Sequence, residues 1–243
     1  MAEGWDQFGP DYDFPDFEGR PNTYLLASTP RCGSHYLGHL LFGTGVLGSP
    51  LEYFHEKHAQ RWMALLGVDN FTAMITSLYR RRTSPSGWFG VKAHWAQFMP
   101  IARNPEYSRL LGFKKFIEIR RRDIIAQAVS HEIARQTNAW ISFHDSGRTP
   151  EYDFEKLRRT AKALEQHAAQ WGAFFQRNKI NRIVVEYEDL MADPEAVISR
   201  ILADFGLNRA DDHEPKWQPE KQASALNAEW RDRYIRDLSQ RSD

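Results

Sequence analysis

The stretch TYLLASTPRCGSHYLGHLL, residues 23–41, decides which fold this sequence predicts. Thr23 to Ser28 form a short β-rich run, residues 29–34 form a loop, and the apolar residues that follow predict a helix. In such a unit the first turn of the helix directs unpaired backbone N–H groups at the loop, and the helix dipole favours an anion there. The stretch therefore predicts a strand, an anion-binding loop and a helix.

The loop residues favour a phosphate or sulfate ester as the anion. Gly33 lets the backbone approach the anion closely, Ser34 can donate a hydroxyl hydrogen bond, and Arg31 carries a permanent charge with a forked set of donors. Cys32 and His35 belong to the same predicted binding segment. An electropositive loop would lower the pKa of a thiol, but no catalytic-thiol motif accompanies Cys32, so we expect a small packing residue there.

The loop departs from the Walker A pattern, which requires a Lys and then Ser or Thr after its final Gly. Here Ser34 and His35 follow Gly33, so ATP-driven phosphoryl transfer is disfavoured. The loop instead resembles the 5′-phosphosulfate loop of sulfotransferases. The next segment, GVLGSPLEYF at residues 45–54, is similar to the corresponding stretch of the bacterial trehalose 2-sulfotransferase family.

A second motif, FIEIRRRDIIAQAVS at residues 116–130, predicts a strand, an N-cap at Asp123 and a helix. Arg122 at the strand end and Ser130 two helical turns later resemble the residues with which sulfotransferases hold the 3′-phosphate of their donor nucleotide. Because three arginines are consecutive, Arg120 remains an alternative to Arg122.

A third motif, RIVVEYEDL at residues 182–190, resembles an architectural feature near the C-terminus of sulfotransferases. Asp193 is a predicted N-cap, Pro194 the first helical residue and Gly206 the helix stop. Beyond it, Lys221 resembles the basic residue that closes over the nucleotide in the tail of the family.

The strand candidates predict an α/β fold, a single P-loop-like domain with a central parallel sheet flanked by helices. They alternate with helical segments and lie at residues 23–28, 88–92, 115–120 and 182–186. Prolines interrupt residues 1–22, so we expect an N-terminal arm there and the sulfotransferase domain over residues 23–243. Residues 141–153 predict a loop that is either a substrate lid or a connection.

The composition limits the possible partners and compartments. Lys plus Arg equals Asp plus Glu at 32 each, so bulk attraction to nucleic acid is not expected. A single Cys in 243 residues excludes an internal disulfide framework and is typical of a reducing compartment. No signal-peptide pattern and no run of about 18 apolar residues is present, so we expect a cytoplasmic protein without a membrane span.

Two residues compete as the general base. Glu52 matches the residue to which the base role is assigned in the trehalose family. His94, in Val91-Lys92-Ala93-His94, resembles the Lys-x-His of cytosolic sulfotransferases, whose His is the base. The flanking sequence favours Glu52, and His94 and Lys92 would then orient the substrate or the sulfuryl group.

The resemblance implies in-line transfer of a sulfuryl group from 3′-phosphoadenosine 5′-phosphosulfate (PAPS) to a carbohydrate or glycolipid hydroxyl, in a homodimer. No metal is implied, although His35/His39 and His55/His58 have spacings that could ligate one. Two alternatives stay open: a nucleotide-dependent kinase, which would need magnesium, and a catalytically silent nucleotide-binding module.

Overall fold

Four parallel strands form the central sheet of the structure, a computed structural model that describes residues 6–140, 148–213 and 225–241. The strands are β1 Asn22–Ser28, β2 Trp88–His94, β3 Lys115–Arg120 and β4 Ile183–Glu186, in the spatial order β2-β1-β3-β4. Every pairing between neighbours is parallel. The predicted α/β class and central parallel sheet are therefore confirmed.

Helices connect the strands and cover the sheet. They are α1 Ser34–Phe42, α2 Glu56–Leu66, α3 Phe71–Arg82, α4 Trp95–Arg103, α5 Pro105–Leu111, α6 Ile124–Thr137, α7 Phe154–Arg177, α8 Tyr187–Ala192, α9 Pro194–Phe205 and α10 Ala225–Gln240. The predicted caps hold: Asp123 Oδ1 accepts from Ala126 N at 2.8 Å, and Asp193 Oδ1 accepts from Ala196 N at 3.0 Å. None of the helices in the described residues is long and apolar enough to cross a membrane.

Side chains of β1 alternate between two apolar layers, as a sheet covered on both faces requires. Leu25 and Ala27 pack into one buried cluster with the residues of β2, whereas Tyr24 and Leu26 pack into a second cluster with residues of α1 and β3. The central strand is thus fixed from both sides, and its end is a rigid base for the loop that follows.

The order in which the chain adds strands to the sheet reverses at β1, because β2 lies on one side of β1 and β3 lies on the other. In open α/β sheets, ligands bind in the crevice outside the carboxyl ends of the strands at such a point. The loop predicted to bind an anion, residues 29–33, follows the carboxyl end of β1. Topology and sequence therefore indicate the same edge of the sheet.

The described part of the predicted arm, residues 6–21, packs along α3. Phe14 N donates to Arg81 O and Phe17 N donates to Arg80 O, both at 2.8 Å. Tyr12 and Phe14 are buried against the core. The arm is therefore attached to the domain, while the division at residue 22 remains a prediction.

A fully buried arginine holds the arm in place. Arg82 has a side-chain exposure of 0%, and its Nε lies 2.7 Å from Asp13 Oδ1. Its Nη2 donates to Gly9 O at 2.9 Å, and its guanidinium lies 4.9 Å from the ring centroid of Trp62. A buried cation needs such partners, so the arm is part of the folded core.

We expect Asp13→Asn to lower the free energy of unfolding by about 3 kcal/mol, because it leaves the buried guanidinium of Arg82 uncompensated. The matched control is Asp16→Asn, which removes the exposed pair with Arg80 and should cost less than about 1 kcal/mol. Urea denaturation measures both. Equal losses in the two variants would contradict the role given to Arg82.

Candidate active site

The anion loop combines two left-handed residues at the start of α1. Arg31 has φ 63° and Gly33 has φ 89°. A Cβ atom at Gly33 would lie 2.5 Å from Cδ2 of the Tyr187 ring, so this position needs glycine for both its dihedral and its packing. The predicted strand, loop and helix are thus present, and Tyr187 is an additional residue that shapes the loop.

Hydrogen bonds to Ser130 and Trp140 help to fix the Arg31 side chain over the loop. Its Nε donates to Ser130 Oγ at 3.0 Å, and its Nη1 donates to Trp140 O at 2.5 Å. Burial lowers the pKa of Arg31 to about 10, and the neighbouring Arg121 charge acts in the same direction. Arg31 therefore stays cationic at neutral pH, in a fixed orientation.

Helix α6 fixes the other half of the loop through Gln127. The side-chain Nε2 of Gln127 donates to Thr29 Oγ1 at 2.8 Å and to Pro30 O at 2.6 Å. Gln127 and Ser130 are three residues apart, so they share one face of α6. This face is the surface against which the loop packs.

The three consecutive arginines point to different partners. Arg120 pairs with Glu186 at 2.6 Å, and Arg122 pairs with Asp189 at 2.7 Å while its side chain is 55% exposed. Arg121 instead lies against the loop: its guanidinium is 4.6 Å from the Tyr187 ring centroid, and its Nη1 is 3.5 Å from Arg31 O.

One N–H donor of Arg121 makes no hydrogen bond within the part of the chain that the structure describes. This donor is Nε, which is buried. The sequence predicted a clamp of Arg122 and Ser130 with Arg120 as the alternative, yet Ser130 accepts from Arg31 and both of those arginines are engaged in ion pairs. The clamp of Arg122 and Ser130, with Arg120 as the alternative, stays a prediction, and Arg121 is a further candidate because it lies beside the loop.

Glu52 lies beside the end of β2 because its loop extends the sheet. Leu51 forms a parallel bridge with Val91, and Lys92 N donates to Leu51 O at 3.0 Å. This pairing brings Glu52 Oε1 to 2.6 Å from Lys92 Nζ. Gln97 Nε2 donates to the other carboxylate oxygen at 3.0 Å, so the carboxylate is held from two sides.

The two candidate bases are neighbours. His94 Nε2 lies 3.7 Å from Glu52 Oε1, and His94 Nδ1 lies 2.9 Å from Ser28 Oγ. Burial tends to raise the pKa of Glu52, but the charge of Lys92 and the hydrogen bonds from Lys92 and Gln97 outweigh it, joined at acidic pH by the charge of protonated His94, and they hold this pKa well below its ordinary value. Burial lowers the pKa of His94 to about 4. At neutral pH the cluster therefore contains a carboxylate and an uncharged imidazole.

The remaining predicted residues of the loop are enclosed in the protein. Burial raises the pKa of the Cys32 thiol, which agrees with a packing role and not with the activation that an electropositive loop alone would produce. Ser34 is buried at the first turn of α1. Burial lowers the pKa of His35 well below its ordinary value, and the charge of Lys92 acts in the same direction. Lys221 lies outside the described residues.

A comparison with known families matches residues 23–237 to the description "Stf0 sulphotransferase". The chain belongs to the Stf0 sulfotransferase family. The trehalose 2-sulfotransferase of Mycobacterium tuberculosis (strain ATCC 35801 / TMC 107 / Erdman) is 27% identical over 255 residues, covering 87% of this chain and 93% of that protein. The trehalose 2-sulfotransferase of Mycolicibacterium smegmatis (strain ATCC 700084 / mc(2)155) is 25% identical over 261 residues, covering 89% and 96%.

Solved structures with a similar chain trace include two sulfotransferases. The sulfotransferase domain from the Synechococcus PCC 7002 olefin synthase has a TM-score of 0.45 at 17% identity and covers 90% of this chain and 89% of that chain. The sulfotransferase from Alicyclobacillus acidocaldarius has a TM-score of 0.46 at 14% identity, with coverages of 91% and 94%.

The family assignment confirms the resemblance predicted from the loop and from residues 45–54, and it identifies the chain as an enzyme that transfers sulfate. Within this Stf0 sulfotransferase, the structure brings Arg31, Ser130 and the loop together, and it places the pair of candidate bases at the same edge of the sheet, where His94 pairs with Ser28 at the end of β1. Residues 6–140, 148–213 and 225–241 contain no group of three His, Cys, Asp or Glu side chains arranged to hold a metal ion.

Four residues around this candidate site were not predicted from the sequence: Arg121, Gln127, Gln97 and Tyr187. The sequence does not distinguish Arg121 from the arginines on either side of it. The folded structure does, because Arg120 pairs with Glu186 and Arg122 pairs with Asp189. Gln127 could have been found, since it lies one helical turn before Ser130 on the same face. Gln97 follows the predicted Lys-x-His by three residues and carries no motif of its own.

Lys92→Met should raise the pKa of Glu52 above its ordinary value of 4.5, because burial is the largest effect on this carboxyl once the lysine charge is gone. A pH titration followed by carboxyl-carbon NMR measures the shift, with Glu52→Gln used to assign the signal. A pKa that stays low in Lys92→Met would show that another group holds the carboxylate charged.

Lys92→Met should also reverse the sign of the pH dependence of stability that comes from Glu52. In the wild type the folded-state pKa of Glu52 is depressed, so its contribution to stability is present above about pH 4.5 and is lost as the pH falls below that value. In Lys92→Met the folded-state pKa is raised, so stability falls as the pH rises above about 4.5 and through the raised pKa. Denaturation midpoints between pH 3 and pH 7 distinguish the two.

Proposed function

We propose that this Stf0 sulfotransferase transfers the sulfuryl group of PAPS to a hydroxyl of a carbohydrate or glycolipid acceptor. The observation that carries the proposal is the position of the anion loop, with Arg31 fixed over it, at the same sheet edge as the cluster of Glu52, Lys92 and His94. The names of the two relatives support a sugar as the acceptor. The predicted homodimer and cytoplasmic location stay predictions.

The residues at the loop fit a polyanionic donor. The first turn of α1 presents backbone N–H groups, together with Ser34 and His35, and Gly33 allows a close approach. Arg31 would meet the charge on the sulfuryl group and on the bridging oxygen. Arg121 has a buried Nε that lacks a protein acceptor among the described residues, which suits a phosphate oxygen of the nucleotide.

The sequence-based choice for the 3′-phosphate was Arg122, with Arg120 as the alternative. We propose Arg121 in their place, because the other two guanidiniums already pair with Asp189 and Glu186. Ser130 would then act through Arg31, whose Nε it binds. Lys221 stays a proposed contact to the nucleotide on the resemblance of the tail alone.

The proposed reaction is an in-line displacement at sulfur. The acceptor oxygen forms a bond to sulfur while the bond between sulfur and the phosphate oxygen breaks, and 3′-phosphoadenosine 5′-phosphate leaves. The proton of the acceptor hydroxyl passes to the base. By analogy with phosphoryl transfer the transition state is loose, so positioning and charge stabilisation by Arg31 and the loop N–H groups supply most of the catalysis.

We assign the base role to Glu52 and an orienting role to His94. The depressed pKa of Glu52 makes it a weak base in the resting site, but its hydroxyl partner becomes acidic as the new bond to sulfur forms, and proton transfer then occurs late. Lys92 and Gln97 hold the carboxylate in place for that step. His94 is neutral at pH 7, so it can bind an acceptor hydroxyl.

The test is a transfer assay with PAPS labelled at sulfur and a panel of mono- and disaccharides and glycolipids, with products identified by mass. We expect a labelled sugar product in the presence of a metal chelator. Phosphate transfer from ATP that depends on magnesium would instead identify a kinase. Nucleotide binding without turnover on any acceptor would identify a silent binding module.

Arg121→Met should weaken the binding of 3′-phosphoadenosine 5′-phosphate by roughly 1.5–3 kcal/mol, as expected for the loss of a charge-assisted hydrogen bond. Arg120→Met and Arg122→Met are matched controls, since both guanidiniums face carboxylates of the protein, and we expect them to leave affinity unchanged. Calorimetry measures all three. A loss in Arg122→Met with none in Arg121→Met would restore the assignment made from the sequence.

Glu52→Gln should lower kcat by about 10²–10⁴-fold, since Gln keeps the shape of the side chain and cannot accept the proton. Nucleotide affinity should not change, whereas the denaturation midpoint should fall because the buried Lys92 loses its counter-charge. His94→Gln, assayed with saturating donor and acceptor, should lower kcat by a smaller factor than Glu52→Gln does. The opposite order of the two losses would make the histidine the base.

A further inference from the structure

One tryptophan beside the anion loop keeps much of its surface open to solvent. Trp140 is 42% exposed. The other exposed large apolar side chains among residues 6–140, 148–213 and 225–241 lie on α2 and α10. A single exposed apolar residue is ordinary on a protein surface, so exposure alone indicates no function. What distinguishes Trp140 is its position.

The backbone of Trp140 is joined to the guanidinium of Arg31. Arg31 Nη1 donates to Trp140 O at 2.5 Å, while Arg31 Nε donates to Ser130 Oγ at 3.0 Å. This guanidinium is the group proposed to meet the charge of the sulfuryl group. Because the Trp140 carbonyl is held there, the indole ring of the same residue lies within one residue's reach of the place where sulfur would be transferred.

The end of α6 fixes the orientation of the indole. Trp140 Nε1 donates to Asn138 Oδ1 at 3.1 Å, and Asn138 ends the helix in a left-handed conformation with φ 57°. The ring also meets the His131 ring edge to face, with centroids 5.7 Å apart. The indole is therefore held in place within the protein itself, which reduces the conformational entropy lost when a ligand packs on it.

An indole held in this way suits a sugar ring. Its one polar group, Nε1–H, already has an acceptor, so the surface that it offers to a ligand is apolar. The face of an aromatic ring carries the negative part of its quadrupole, and the C–H bonds of a pyranose ring carry slight positive charge on hydrogen. A sugar can thus pack its C–H face on the indole while its hydroxyl groups stay free to react or to bind water.

The geometry of transfer separates this place from the nucleotide. In an in-line displacement the acceptor oxygen approaches sulfur from the side opposite to the leaving nucleotide. Arg121, the proposed nucleotide contact, lies at the backbone of Arg31, since its Nη1 is 3.5 Å from Arg31 O. Trp140 is joined instead to the guanidinium, at the far end of the Arg31 side chain. This placement favours the acceptor, and not the adenine ring, as the ligand of Trp140.

We propose that Trp140 is a specificity-determining residue, and that its indole face is the platform on which the sugar ring of the acceptor packs. The carbohydrate nature of the acceptor rests on the proposed function. The inference adds the residue by which the enzyme distinguishes a pyranose from an open-chain alcohol, because an open-chain alcohol has no ring face to pack on the indole.

The test is the transfer assay with labelled PAPS and with trehalose or methyl glucoside as the acceptor. Trp140→Leu keeps apolar bulk and removes the aromatic face, so it should raise KM for the sugar about 3- to 10-fold with kcat at saturation unchanged. Trp140→Phe keeps a ring face and should restore most of the affinity. Leu65→Ala is the matched control, because it shortens an exposed apolar side chain on α2, and it should leave KM unchanged.

Two other outcomes would overturn the proposal. If Trp140→Leu weakens the binding of 3′-phosphoadenosine 5′-phosphate in calorimetry and leaves KM for the sugar unchanged, the ring is a platform for adenine. If it lowers kcat and leaves both affinities unchanged, the residue acts only through its contact with Arg31. Both substitutions keep the backbone carbonyl that accepts from Arg31, so the comparison isolates the side chain.

Sugar binding is also measured without transfer, through the indole ¹H–¹⁵N signal of Trp140, which Trp140→Phe assigns. Trehalose added to the protein saturated with 3′-phosphoadenosine 5′-phosphate should shift this signal. A shift without transfer would support the platform and contradict the proposed function. Transfer without a shift, with KM unaffected by Trp140→Leu, would overturn the platform and leave the proposed function in place. Neither shift nor transfer with any sugar would overturn both.

Discussion

The parallel pairing of β1 with β2 on one side and with β3 on the other is the constraint on which the site depends. Parallel strands bring their carboxyl ends to one edge of the sheet, and the register sets Ser28 opposite His94 at that edge. The bridge between Leu51 and Val91 continues the same pairing beyond the strands and brings Glu52 next to Lys92. The anion loop and the candidate bases are therefore neighbours because of backbone hydrogen bonds, before any side chain contributes.

Once the sheet has gathered charged residues at one edge, burial dictates how they pair. A buried carboxylate without a partner would protonate, so Glu52 exists as an anion because Lys92 Nζ is 2.6 Å away. Arg31 is held in part by uncharged oxygens, since its Nε donates to Ser130 Oγ and its Nη1 donates to Trp140 O. Arg31 and Arg121 lie together beside the loop at the N-terminus of α1, and two guanidiniums at a helix N-terminus favour the binding of a polyanion.

The sequence predicts the fold and the loop well, because both depend on local signals. The continuous β-rich run of β1, the position of Gly33 before a helix and the caps at Asp123 and Asp193 can each be predicted from a few neighbouring residues. Which of the three consecutive arginines lies against the loop cannot be predicted in this way. The answer depends on carboxylates about 66 residues further along the chain and on the Tyr187 ring, which only the folded structure brings near.

The histidines show how the same site avoids charge that changes with pH. The ordinary pKa of His94 is 6.5 and its folded-state value is about 4. Between these values the unfolded chain binds more protons, so the buried imidazole makes the fold less stable as the pH falls below about 6.5. This cost accompanies a useful property: near neutrality Arg31, whose pKa is lowered only to about 10, supplies positive charge to the site, while His35 and His94 contribute neutral hydrogen-bonding groups. The charge that these two histidines present to an incoming polyanion therefore does not change with pH near neutrality.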